Sequence, residues 1–286
     1  MKIKRYRDVA AFLAAAQGFL EEKEAVNGLA LGVCASLARG AGRGRRRQKR
    51  SPYLATVVQD GEIVLTAVSI NRRFILSSYL AEPETAVQAL VSDIVSTGWS
   101  LLNVRGPAAV ADAFAAAWQA QAGQTLEDGM RQWVWELRQV QPPQQINGRL
   151  RLADADDFYL IRDWAQGFQK EALGRDDQEA AHLMAQQAIQ FQDMYVWDDD
   201  GTAVSMAAKR RPTRNGIAIS LVYTPPELRG NHYASNCVAA FSQLLLDEGR
   251  QFVTLFTDQL NPTSNHVYEA IGYEKLDRFH EYLNEA

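Results

Sequence analysis

Apolar residues along the chain recur in two alternating rhythms, a three-to-four spacing that marks helices and short continuous runs that mark strands. Val9, Phe12, Leu13, Ala16, Phe19 and Leu20 lie on one face and predict a helix over 9–24, with a second over 26–37. Strands are predicted at 53–59, 63–70 and 74–79, the first two joined by Asp60-Gly61, a dipeptide suited to the positive φ angles of a tight hairpin. A helix over 85–97 stops at Gly98, and a strand at 100–104, a turn at Gly106-Pro107, a helix over 108–122 and a closing strand at 133–140 follow. From 149 the order begins again: a strand at 149–153, helices over 156–168 and 178–191, then strands at 194–197 and 203–211 around Asp198-Asp199-Asp200-Gly201. A strand at 216–223 leads to a helix whose stripe is Ala234, Cys237, Val238, Phe241, Leu244 and Leu245, ending before Gly249; a strand at 252–258 and a helix at 262–270 come last.

The two halves therefore share one order of elements, which is the mark of an internal duplication by pattern. The proline- and glutamine-rich stretch 141–148 reads as a linker, so the domains are expected at 1–145 and 146–286, each mixing strands and helices in an α/β (α+β) arrangement. From Gly61 to Gly98 is 37 residues, whereas from Gly201 to Gly249 is 48. The first copy thus lacks eleven residues in the region that holds, in the second, a loop of particular interest.

That loop is Arg229-Gly230-Asn231-His232-Tyr233-Ala234, between the strand ending at Tyr223 and the helix behind it. The first turn of a helix has amides without partners and the positive end of the peptide dipoles, so an anion there satisfies both. Gly230 lets the backbone approach a ligand closely. An ordinary loop before a core helix would read the same way, and it is the next segment that adds weight to the anion-binding reading. After the strand at 252–258 come Asn261, then Tyr268 seven residues on, then Gly272-Tyr273.

With these, residues 149–286 resemble the GNAT superfamily of acyl-CoA-dependent N-acetyltransferases. Its pyrophosphate loop has Gln or Arg, two residues, Gly, one residue, then Gly or Ala; Arg229 and Ala234 match its ends, and His232 stands where the middle Gly is expected. The family's last segment is matched by Asn261, Tyr268 and Gly272-Tyr273. The resemblance implies two tandem GNAT-like domains, each a mostly antiparallel central sheet flanked by helices. It also implies acetyl-CoA as co-substrate: backbone groups of Leu221, Val222 and Tyr223 along the thioester arm, and Arg229, Gly230, Asn231, His232, Tyr233 and Ala234 around the pyrophosphate. In that family a β-bulge in the strand before the loop splays it from its neighbour, and the thioester lies in the gap. At the matching place the first copy has Tyr79-Leu80-Ala81-Glu82-Pro83-Glu84, without Gly, with two carboxylates and with a proline that has no N–H to offer. Only the second copy is therefore expected to bind acyl-CoA, and the first resembles the degenerate half of tandem GNAT proteins, which walls the acceptor pocket.

Acetyl transfer from a thioester to an amine requires a deprotonated amine, a donor for the developing oxyanion and an acid for the departing thiolate. By the resemblance Tyr268 is the acid, since a phenol of pKa ~10 stays protonated and can donate to a thiolate of pKa ~8.5; the same tyrosine could equally be core, beside Val267 and Ile271. Asn261 before Pro262 has the look of a helix N-cap and is also placed to reach the cofactor. Ser264 matches a small residue near the cofactor, while Glu227 and, as the other candidate, Asp258 are the carboxylates available as base; a water chain could replace either.

Composition narrows the rest. No run of 18 apolar residues exists, so no membrane span is expected, and the start lacks the apolar stretch of a secretory signal, which together point to the cytoplasm. Cys34 and Cys237 lie far apart and are expected as buried free thiols; neither they nor four scattered histidines have metal-ligand spacing. The net charge of −4 conceals seven basic residues between Arg39 and Arg50, without which 23 basic residues face 34 acidic ones. No aromatic residue interleaves this run, so a solvated loop is expected rather than a nucleic-acid site. The expected partner is a small-molecule or peptide amine. The alternative class is a non-catalytic acyl-CoA sensor or interaction module, using 39–50 for an acidic partner, which the His232 departure favours.

Overall fold

A computed structural model describes residues 1–41 and 52–284. The first half consists of β1 (Lys2–Arg5), α1 (Val9–Glu21), α2 (Gly28–Ala41), β2 (Tyr53–Gln59), β3 (Glu62–Ile70), β4 (Arg73–Ser78), α3 (Glu84–Ser96), β5 (Asn103–Pro107), α4 (Ala108–Ala122) and β6 (Glu127–Leu137). In the second half are β7 (Arg149–Leu152), α5 (Phe158–Leu173), α6 (Gln178–Phe191), β8 (Met194–Asp199), β9 (Thr202–Arg210), β10 (Gly216–Tyr223), α7 (Tyr233–Asp247), β11 (Phe252–Asp258), α8 (Pro262–Ala270) and β12 (Glu274–Leu283). The duplicated order is thus present element for element, and the architecture is mixed α/β with mostly antiparallel pairing. No helix among the described residues is long and apolar enough to cross a membrane. Of the basic run, residues 42–50 lie outside the described residues.

Local chemistry accounts for the elements. Asp8 caps α1 by accepting the Ala11 amide at 2.9 Å, and the stripe Val9, Phe12, Ala16 and Leu20 is buried against the sheet. Both Asp-Gly hairpins form as expected, with positive φ at Asp60 and Gly61 and at Asp200 and Gly201. Cys34 and Cys237 are buried free thiols. Four expectations need revision. The strand β1 carries a single apolar residue and pairs with β2 through its backbone, which leaves no periodic trace in the sequence. Strand β6 begins six residues earlier than predicted, through polar positions, and α5 continues five residues beyond 168, burying Gln169. Gly106-Pro107 is not a turn but the end of β5: a Cβ at 106 would lie 2.9 Å from the Leu76 carbonyl oxygen, so the glycine serves close strand approach.

Two compact units emerge. One comprises Met1–Val134, Asp258–Leu260 and Leu276–Ala286, the other Trp135–Thr257 and Asn261–Lys275. In the first, the strand order is β1-β2-β3-β4-β5-β12-β6, so the last strand of the chain pairs with β5. In the second, the order is β11-β10-β9-β8-β7, with Trp135–Leu137 of β6 beside β11. Each unit is therefore completed by a strand from the other half of the sequence. Core residues of the first unit include Tyr53, Leu65, Phe74, Leu76, Leu90 and Phe114, and those of the second include Ile161, Met194, Val196, Met206, Leu221 and Tyr223.

The insertion of β12 is fixed by a buried polar contact. Glu281, 7% exposed, accepts from Asn103 Nδ2 and Arg105 Nη2, each at 2.5 Å, and Gly129 leaves room for its side chain, since a Cβ there would lie 2.8 Å from Glu281 Cγ. Glu281→Ala should therefore lower stability by about 1–3 kcal/mol, because it strands a buried amide and a half-buried guanidinium. Urea unfolding would show a lower midpoint at unchanged m value; an unchanged midpoint would mean that β12 is held by its backbone ladder alone.

Candidate active site

The site is built where β10 breaks step with β9. Ser220 pairs with Ala208 and Tyr223 with Met206, so Leu221 and Val222 stand opposite Ala207 alone. Leu221 takes up the extra residue in the left-handed region at φ +53, with its side chain buried. On the other edge, β10 pairs in parallel with β11 from Gly216 to Ala218, and among the described residues the ladder goes no farther. Backbone groups of Leu221 and Val222 are thus out of register with β9, as a bulge requires, and regular pairing resumes at Tyr223.

Beyond Tyr223 the chain makes a 3-10 turn, Pro226–Leu228, and enters α7 through His232. His232 is itself left-handed, φ +60, and supplies no side-chain cap. Its carbonyl accepts three hydrogen bonds, from the Asn236 amide at 3.1 Å, from Asn236 Nδ2 at 3.0 Å and from Ser235 Oγ at 2.8 Å, which hold this conformation. Among the described residues the backbone amides of 230–235 donate no hydrogen bond to the protein. Of these, the amides of His232–Ser235 belong to the N-cap and first turn of a 15-residue helix, where no intrahelical acceptor exists. His232 is exposed, and a Cβ built on Gly230 would meet nothing within 4 Å.

The loop is held from below. Arg229 Nε donates to the Thr224 carbonyl at 2.9 Å and Nη2 to Glu171 on α5 at 2.6 Å; Tyr223 Oη donates to the same carboxylate at 3.2 Å. Burial, and then Glu171, push the Tyr223 phenol above its ordinary pKa. Asn231 Nδ2 closes the turn on the Leu228 carbonyl, and Tyr233 Oη donates to Asp199. The half-buried Ala234 begins the helix stripe.

Tyr268, on α8, is 7% exposed and packs on Trp135 and, edge-on, on Tyr273. Its hydroxyl has no hydrogen-bond partner among the described residues, and burial pushes its pKa up. Asn261 is the N-cap of α8, its Oδ1 accepting the Ser264 amide at 3.0 Å, while Ser264 Oγ donates back to the Asn261 carbonyl. Glu227 is exposed in the 3-10 turn, and Asp258 is exposed at the end of β11, accepting the Leu260 amide.

Comparisons with known proteins fall in with this geometry. Residues 200–283, which include the bulge, the loop and α8, match the FR47-like protein family. A GCN5-related N-acetyltransferase from Sphaerobacter thermophilus superposes with a TM-score of 0.61 at 17% identity, over 99% of this chain and 95% of that one. A GNAT-family acetyltransferase from Colwellia psychrerythraea gives 0.58 at 10% identity over the whole of both chains. The chain has the tandem GNAT fold. A tandem GNAT protein of the clavulanic acid biosynthesis pathway matches in the same way, with a TM-score of 0.50 at 13% identity over 99% and 98% of the two chains. The sequence has no match among curated proteins. Within this GNAT fold the second copy carries the bulge, whereas in the first β3 and β4 pair without a break from Leu65–Ser78 to Ile70–Arg73. There α3 starts at Glu84 behind Pro83, a cap with no N–H.

Several residues around the candidate site were not found from the sequence. Glu171 orders Arg229 and Tyr223, Ser205 ties Thr224 and the Tyr223 carbonyl, and Thr257 accepts from Trp135 Nε1 and donates to Asn265 beneath α8. Glu171 did leave a signal: it follows Ala165-Gln166-Gly167-Phe168, the same four residues that stand at 16–19 in α1.

Because His232 occupies a left-handed position, His232→Gly should leave stability unchanged or raise it by up to about 1 kcal/mol, while His232→Val should cost about 1–2 kcal/mol more than His232→Gly. Thermal unfolding of the two variants checks the order; equal midpoints would mean that the left-handed cap is not maintained in solution.

Proposed function

We propose that the chain is an acetyl-CoA-dependent N-acetyltransferase that carries an acetyl group to a primary amine of a small molecule or peptide. The observation that carries this reading is the row of unengaged amides at 230–235 immediately behind the Leu221 bulge. The donor set fits a diphosphate: the amides of 232–235 lie at one helix start and those of Gly230 and Asn231 in the loop before it, Gly230 adds no bulk, and His232 lies exposed. Arg229, Gly230, Asn231, His232, Tyr233 and Ala234 would hold the pyrophosphate, with Asn261 and Ser264 as further contacts. Bound acetyl-CoA supplies the activated acyl group. Backbone donors of Leu221, Val222 and Tyr223 are in position to orient that arm and to stabilise negative charge developing on a carbonyl oxygen.

Tyr268 Oη holds a proton that no protein acceptor draws on, and gives it to the departing sulfur. Glu227 is the carboxylate proposed to help the amine lose its proton. A covalent route through the one cysteine of the second half is disfavoured: Cys237 is fully buried and its thiol is pushed up to about 12 by burial, so it stays protonated. Amine and acyl donor therefore react directly, and steady-state kinetics should be sequential rather than ping-pong. His232 in place of glycine favours a second reading, an acyl-CoA sensor, in which the cofactor binds and no thiol is released over a broad amine panel.

Calorimetric titration should show one acetyl-CoA site, weakened at least tenfold in Gly230→Asp, which adds a carboxylate in open space beside the amides; equal affinity would remove the phosphate assignment. Tyr268→Phe should lower kcat ten- to ten-thousand-fold, the range of general acid catalysis, with little change in cofactor affinity. Since the phenol's pKa is raised, it remains protonated until above pH ~10, and kcat should show no alkaline loss from this group below that pH. Unchanged turnover in Tyr268→Phe would assign the hydroxyl to packing.

A further inference from the structure

Both β-hairpins carry the same irregularity. In the first, Val58 pairs with Ile63 and Val57 with Leu65; in the second, Asp198 pairs with Ala203 and Trp197 with Ser205. Val64 and Val204 are the extra residues, so Leu65 and Ser205 stand at equivalent places. Both are 0% exposed, but Leu65 belongs to the apolar core of its unit, whereas Ser205 brings a hydroxyl to the corresponding position. A hydroxyl buried there is costly unless it is hydrogen-bonded, so its partners identify its role.

Those partners lie at the end of the bulge. Ser205 Oγ donates to the Tyr223 carbonyl at 3.3 Å and accepts from Thr224 Oγ1 at 2.9 Å. Thr224 is buried, follows directly on β10, and through its own carbonyl accepts from Arg229 Nε at 2.9 Å. The phenol of Tyr223 donates to Glu171 at 3.2 Å. The two residues that close the bulge are thus tied through both carbonyls and both side-chain hydroxyls, one carbonyl and one hydroxyl of them to Ser205. In the first copy Leu65 has no hydroxyl to offer, and the ladder passes through Leu65–Ser78 without a break. The hydroxyl pair is present where β10 breaks step and absent where β4 does not.

We infer that Ser205 and Thr224 are positioning residues for the acyl group. Their paired hydroxyls fix the Tyr223 carbonyl, and with it the direction in which the backbone groups of Leu221 and Val222 face the thioester. Leu221, at φ +53, has no register with β9 to fix that direction for it. The inference rests on the acetyl-transfer reading and adds to it the side chains that set the geometry of the transfer. Neither hydroxyl bonds to the amides at 230–235, so the pair acts on the reaction rather than on cofactor binding.

Three variants test this. Thr224→Val keeps the shape and removes the hydroxyl, Thr224→Ser keeps the hydroxyl, and Ser205→Ala removes both bonds. Turnover is read as thiol release from acetyl-CoA with the best substrate in a panel of primary amines. It should fall by about tenfold or more in Thr224→Val and Ser205→Ala, and Thr224→Ser should restore it to within about threefold of the parent chain. Ser205→Ala/Thr224→Val should lose no more than Ser205→Ala alone, because the two hydroxyls act as one unit. Calorimetric affinity for CoA should be the same in all of them. Equal turnover in Thr224→Val and Thr224→Ser, or a loss of CoA affinity that accounts for the whole fall in turnover, would overturn the inference. Amide hydrogen exchange separates this inference from the reading beneath it: Thr224→Val should exchange faster than the parent chain at 220–224 and nowhere else. Unchanged exchange there would overturn the positioning role by itself. A parent chain that releases no thiol would instead remove the acetyl-transfer reading, and the acyl role of the pair with it.

Discussion

One extra residue in β10 is the constraint on which the site depends. Placing Leu221 at φ +53 costs about 1–2 kcal/mol for an L-residue with a branched side chain. Burying that side chain returns about 1.5–3 kcal/mol, enough to keep the bulge in place without help from a ligand. The consequence is chemical: two residues face one, the ladder loses its regular partners, and backbone donors become available beside the loop. The parallel ladder between β10 and β11 is three residues long, but so is that between β4 and β5, so ladder length does not distinguish the copies. The bulge does.

A second left-handed residue, His232, carries the same logic into the helix. An ordinary N-cap side chain would satisfy one of the first amides of α7 and compete with any anion. Here the polar side chains nearby, Ser235 and Asn236, are spent on the His232 carbonyl, which stabilises the turn and leaves the amides unpaired. Arg229 is likewise engaged from behind, by Glu171 and the Thr224 carbonyl, so that it fixes the start of the loop as well as adding positive charge. The polar groups around the loop thus support its shape and keep its donors free, which is what preorganised anion binding requires.

The first copy shows what the same order of elements becomes without these devices. Its β3–β4 ladder is unbroken, its helix starts behind a proline, and the tyrosine after β4, Tyr79, hydrogen-bonds into the helix layer. Both units nevertheless depend on exchanged strands: β12 is seated beside β5 by Glu281, whose carboxylate would be costly to bury without Asn103 and Arg105. Duplication has been kept at the level of backbone layers, while the side chains at equivalent positions have diverged toward different contents.

By itself the sequence determined what depends on near neighbours along the chain. Helical spacing, Asp-Gly turns and the loop before α7 were legible because periodicity and turn chemistry are local, and Asn261 was readable as a cap because Ser264 lies three residues away. Where long-range contacts decide, the sequence was silent. Strand β1 forms because β2 is there to pair with it, Gly106 is a glycine because the Leu76 backbone lies against it, and Gln169 is buried because α5 runs on over the sheet. Glu171 stands 58 residues from the arginine it positions, and Glu281 stands 178 from Asn103. No spacing rule spans such distances, because the free energy that places these groups comes from packing and desolvation, which exist only once the two parts of the chain have met.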